Sequence, residues 1–149
     1  MENRELGLLE IFNRVKAERD SLGLVSFKRT PTRPSQINQC PCVFMLEGID
    51  VIFKHADRDP LGYPARRVLD VSLELVVDKR ETPDIKLMMH NLRKAVFKVI
   101  GSDPPEYSGR FADNLHIREN RMEGPIGYGL PDIKVMKFVL DLTYIDGGL

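Results

Sequence analysis

The segment His55-Ala56-Asp57-Arg58-Asp59 places an imidazole and two carboxylates at every second position. On an extended backbone all three leave the chain on the same side. Such a set suits a divalent cation that activates water for hydrolysis. Against this, no fourth ligand stands at a recognisable spacing, and Pro60-Leu61-Gly62 follows at once, so the segment also reads as a solvated turn. The only cysteines are Cys40 and Cys42, in Cys-Pro-Cys. One residue apart they bridge only with strain. His55, His90 and His116 do not stand at zinc-ligand spacing around them. Two reduced thiols at a strand entry is the simpler reading, with no metal. Nucleophilic catalysis has no Gly-x-Ser-x-Gly elbow to rest on, and GPIGYG (124–129) matches neither the Walker nor the dinucleotide-binding pattern. The sequence therefore carries no catalytic signature, and no cofactor is expected.

The elements that must position these groups are read from periodicity. The 149 residues fit one domain, 1–149. Lys plus Arg (22) balance Asp plus Glu (22), without the basic excess expected of a general nucleic-acid binder. No apolar run approaches the ~20 residues that cross a bilayer. Glu2 and Glu5, with no long apolar core behind them, argue against a secretory signal. The expectation is a cytoplasmic site of synthesis and no membrane.

Leu8, Ile11, Phe12 and Val15 gather on one helical face, which predicts a helix over 3–22 stopped by Gly23. Residues 24–41, with Pro31, Pro34 and Pro41, predict a long extended arm. VFMLEGIDVIF (43–53) predicts a β-hairpin turning at Glu47-Gly48, or alternatively one bent strand. After a loop over 55–66 comes VLDVSLELVVD (68–78), a strand of period two. Leu69, Val71, Leu73, Leu75 and Val77 share one side of it; Asp70, Ser72 and Glu74 share the other. Thr82-Pro83-Asp84 predicts a helix start, with Thr82 as cap, and Ile85, Met88, Met89, Leu92, Val96 and Val99 continue to a stop at Gly101. Loops are expected over 102–112 and 120–133, a short strand over Asn114–Arg118, and a closing strand in KVMKFVLDLTYID (134–146). The order predicts an α+β fold: a two-layer sandwich of a mostly antiparallel twisted sheet with two amphipathic helices on one face.

Basic residues fall in small groups: Lys28, Arg29 and Arg33 in the arm, Arg66 and Arg67 before the long strand, Arg118 and Arg121 after the short one. Without a net basic charge they read as contacts to a neighbouring subunit or partner. Four long loops on a modest core are uncommon unless functional. They suggest surfaces completed by neighbours.

The succession of amphipathic helix, polar arm, VFMLEGIDVIF, VLDVSLELVVD leading straight into PDIKLMMHNLRKAVFKVI, and the closing FVLDLTY resembles the tail terminator (tail completion) proteins of tailed bacteriophages. The resemblance covers nearly the whole chain in element order and character and rests on no short motif. It implies a structural virion protein without enzymatic activity or cofactor. Such a protein forms a hexameric ring on the last ring of the tail tube, stops tube growth and meets the head-side connector, and in contractile tails the sheath. It implies a virion location at the head-proximal end of the tail, after assembly in the host cytoplasm. In a ring, DNA passes through the lumen without specific binding. Asp70, Glu74 and Asp141 are then candidates for a wall that repels phosphate. Two alternatives stand beside it: a neck or head–tail connector protein of the same fold, and a small metal-dependent hydrolase using His55, Asp57 and Asp59.

Overall fold

The computed structural model describes residues 2–29, 40–52, 66–98, 108–112, 115–127 and 129–145. The helices are α1 (Asn3–Ala17), α2 (Arg19–Leu22) and α3 (Ile85–Phe97). The strands are β1 (Ser26–Arg29), β2 (Cys42–Ile52), β3 (Arg66–Asp78), β4 (Ser108–Ala112), β5 (Leu115–Gly127) and β6 (Ile133–Ile145). They form one six-stranded sheet in the order β1-β2-β3-β6-β5-β4. All neighbours pair antiparallel except β1 and β2, which run parallel. The fold is α+β, with both long helices on one face of a mostly antiparallel sheet.

The period-two strands place the core. Leu69, Val71, Leu73, Leu75 and Val77 of β3 and Met136, Phe138, Leu140, Leu142 and Tyr144 of β6 form one buried cluster with Leu8, Ile11 and Val15 of α1 and Met89, Leu92 and Val96 of α3. Apolar burial of this kind is the main favourable term in folding, at roughly 25 cal/mol per Å² removed from water. Phe97 meets Phe138 edge-on, with ring centroids 6.4 Å apart. Phe12 of α1 stacks on Phe27 of β1 at 4.7 Å. Arg14 Nη1 donates to the Val96 carbonyl oxygen at 2.8 Å, tying α1 to one of the carbonyls left free at the end of α3.

Several expectations are corrected. The helix over 3–22 breaks into α1 and α2 at Glu18, although Gly23 (φ 71°) ends it as expected. Glu47-Gly48 is not a hairpin turn: β2 is a single strand, and its extra residue is absorbed in a bulge between Glu47 and Asp50. The arm contains β1, four residues paired with the start of β2. Asp84, not Thr82, caps α3, its Oδ1 accepting from the Leu87 amide at 3.0 Å. The supposed loop over 102–112 contains β4. The loop expected over 120–133 is half strand, because β5 continues to Gly127.

The second side of β3 is also covered. Ser72 and Glu74 are 8% and 1% exposed, and Cys42, Phe44, Val76 and Val135 make a separate small apolar cluster on that face. Cys42 and Cys40 are free thiols, and burial pushes the Cys42 thiol up to about 12, which makes it a poor nucleophile at neutral pH.

Candidate functional site

Two groups of charged side chains stand out, one on each face of the sheet. Under the first turn of α1, on the helix side, Asp50 of β2 gathers three donors. The Tyr144 hydroxyl donates to Asp50 Oδ2 at 2.5 Å, Arg4 Nε to the same oxygen at 3.2 Å, and Arg67 Nε to Oδ1 at 2.9 Å. Arg4 also pairs with Glu47 at 2.8 Å. Arg29 of β1 bridges Glu5 and Glu47, at 2.8 Å and 3.2 Å from its Nη2. The knot thus joins α1, β1, β2, β3 and β6. Asn3 adds a bond from Nδ2 to the Ile145 carbonyl oxygen, 3.1 Å.

The electrostatics follow from this geometry. Burial alone would raise the Asp50 carboxyl, but bonds from Tyr144, Arg67 and Arg4 outweigh it and hold it below the usual range. The Tyr144 phenol is pushed up to about 12 by burial and by its bond to Asp50. The bond from Arg29 lowers Glu5, and the bonds from Glu5 and Glu47 raise Arg29. Each charged group of the knot has a partner of opposite charge within the chain, so the knot reads as a structural clasp.

The opposite face carries the candidate channel residues. Asp70 of β3 and Asp141 of β6 are register partners, and Glu74 stands between Phe44 and Lys137. Asp141 accepts from Asn120 Nδ2 at 2.9 Å and from Arg118 Nη2 at 3.3 Å. Arg121 Nε donates to Glu123 Oε1 at 2.8 Å. The structure therefore brings Asp70, Asp141, Arg118 and Arg121 together on one face, and it corrects the expectation for Glu74, which shares that side of β3 but is buried, 1% exposed, between Phe44 and Lys137.

The remaining sequence candidates are dispersed. Arg29 and Arg67 lie in the clasp on the helix side, while Lys28 is exposed on β1 and Arg66 is exposed at the head of β3. Arg33, His55, Asp57 and Asp59 lie outside the described residues. Among the described residues no three His, Cys, Asp or Glu side chains converge as a metal site. Arg4, Glu47, Asp50 and Tyr144 were not singled out from sequence. The available signal was Asp50 itself, a carboxylate inside an apolar strand that must find donors when buried.

No family model matches the chain, and no curated protein is significantly similar to it. Among solved structures, a chain of the "Virion of native gene transfer agent (GTA) particle" superposes with a TM-score of 0.52. The alignment covers 91% of each chain at 13% identity. The two share a fold. At that identity the likeness extends to the architecture of helices and sheet and not to individual side chains. No described helix is long and apolar enough to cross a membrane.

Proposed function

We propose that this chain is a structural protein of a tailed, phage-like particle, and specifically a tail terminator: a ring that caps the tail tube, stops its polymerisation and receives the head-side connector. The observation that carries the reading is the fold shared with a virion chain over 91% of both chains. The element order that resembles tail terminators agrees with it, as does a charged inventory spent on holding strands together. The protein acts by occupying a place in an assembly, with tail tube, connector and in a contractile tail the sheath as its neighbours. It performs no reaction.

In such a ring the part of the sheet face bearing Asp70 and Asp141 is the proposed channel wall, and Glu74, 1% exposed, does not belong to it. Because Arg118 and Arg121 on that face are already paired with Asp141 and Glu123, it would hold phosphate weakly. DNA would pass without being retained.

Deleting the gene in a particle-producing host tests the reading. Tubes of uncontrolled length without attached heads are expected by electron microscopy. Tubes of normal length that lack heads would move the protein to the neck or connector, and normal particles would overturn a structural role.

A further inference from the structure

Cys40 and Cys42 are the chain's only cysteines, and the assembly reading leaves them without a task. The chain bends at Cys40-Pro41 and enters β2 at Cys42. In a straight strand, residues two apart stand about 6.6 Å from one another, beyond the roughly 3.5–4.5 Å that a disulfide allows between Cβ atoms. At this bend the two thiols meet instead, in a side-chain hydrogen bond. Both side chains pack in one small apolar cluster with Phe44, Val76, Val135 and Ile133, on the sheet face away from the helices.

The two thiols differ in access. Cys40 is half-buried, whereas Cys42 is 1% exposed. A reagent from solution meets Cys40 first, and Cys42 reacts only with something already held beside it. Asp78 and Glu81 add negative charge near Cys40, and burial opposes charge on both sulfurs. Two thiolates gripping a monovalent metal ion would leave a net negative charge in that cluster; a disulfide is neutral. We infer that Cys40 and Cys42 form a reversible internal disulfide, made by exchange with a small disulfide oxidant such as oxidised glutathione.

In the first step the Cys40 sulfur, as thiolate, attacks one sulfur of the oxidant. The oxidant's S–S bond breaks, one glutathione leaves as a thiolate, and Cys40 carries a mixed disulfide. The deprotonated Cys42 sulfur then attacks Cys40 Sγ and expels the second glutathione. Two protein S–H bonds are lost and one S–S bond forms; both protons end on the departing thiolates, and the oxidant is reduced to two thiols. With one residue between the cysteines the bond is strained, and strained disulfides are the readily reduced ones. A reducing cytoplasm keeps the pair open, and oxidising surroundings close it. Closure ties the bend to the first residue of β2, which pairs with Ser26 of β1 and Val76 of β3. The Val25 amide holds the Pro41 carbonyl oxygen between them at 2.8 Å. The lock thus falls where β1 and β2 begin and β3 ends. This chemistry is independent of the assembly role proposed above.

The reduced, purified chain is incubated with millimolar oxidised glutathione and quenched in acid. Free thiols are then alkylated in denaturant and the intact mass is measured. Wild type should lose both alkylation sites and two hydrogen atoms, and run as a single chain in a non-reducing denaturing gel. Excess reduced glutathione at a cytoplasm-like ratio should restore both thiols. Cys42→Ala, which keeps the cluster apolar, should stop at a mixed disulfide on Cys40. Cys40→Ala should keep its remaining thiol free while folded. If either variant melts lower than wild type, alkylation of native wild type followed by peptide mapping replaces it, and Cys40 should react first. A wild type that keeps both thiols, stops at a mixed disulfide or links chain to chain would overturn the inference. So would a Cys42 that reacts before Cys40. A bond that survives cytoplasm-like glutathione would overturn its reversibility.

Discussion

The Tyr144 hydroxyl donates to Asp50 Oδ2 at 2.5 Å, joining β6 to β2 across β3. Hydrogen bonds to charged groups contribute about 1.5–3 kcal/mol each. Arg4 and Arg67 remain to satisfy Asp50, so Tyr144→Phe should cost about 1–2 kcal/mol in chemical denaturation. Folding raises the phenol from 10.0 to about 12, since burial and the neighbouring carboxylate both oppose phenolate. The bond's contribution is therefore complete below pH 10 and fades as pH rises toward 12. Wild type should lose more stability than Tyr144→Phe across that window, and parallel losses would contradict the assignment.

At the acid end the clasp acts in the opposite direction. Asp50 and Glu5 are held below their ordinary values of 3.8 and 4.5, so their contribution is present above those values and lost as pH falls through the lowered ones. The melting temperature of wild type should drop more steeply below pH 4.5 than that of an Asp50→Asn/Glu5→Gln variant. Glu5 is partly exposed, so added salt should weaken its share more than that of Asp50.

The start of α3 separates a sequence rule from the structure. Thr82-Pro83-Asp84 predicts Thr82 as the cap, and the structure puts Asp84 there instead. Only the Asp84 carboxylate reaches an orphan amide, that of Leu87. Asp84→Ala should cost about 1 kcal/mol. Thr82→Ala should stay within roughly 0.5 kcal/mol of wild type. The reverse order in urea titration would restore Thr82 as the cap.

Where one residue type repeats at a fixed period, the fold was legible. The alternation in β3 and β6 and the apolar stripe of α3 gave the core, the face that the helices cover and the α+β class. Local signals failed where a long partner overrode them. Gly124, Pro125 and Gly127 read as turns, yet the 13-residue β6 offers a continuous ladder, and β5 follows it by shedding extra residues into bulges at Glu119/Arg121 and Glu123/Ile126. Gly48 misled in the same way beside β3. The clasp was illegible for a different reason: its members lie up to 142 residues apart in Asn3 and Ile145, and no local pattern pairs them. Arg29 and Arg67 were noticed as cations, but their carboxylates were not.

Gly124 shows why β5 stays on its partner strand through a turn-like sequence. Its φ of 98° lies where side chains are strained, and a Cβ there would sit 2.8 Å from the Val135 carbonyl oxygen, a backbone atom that cannot swing away. Gly124→Ala must therefore push β5 off β6 between Glu123 and Ile126, at a cost of about 1–3 kcal/mol. Its melting temperature should fall accordingly, whereas Gly127→Ala, where nothing lies within 4 Å of the added Cβ, should melt close to wild type. A Gly124→Ala variant that melts like wild type would mean that the β5 backbone shifts there without loss.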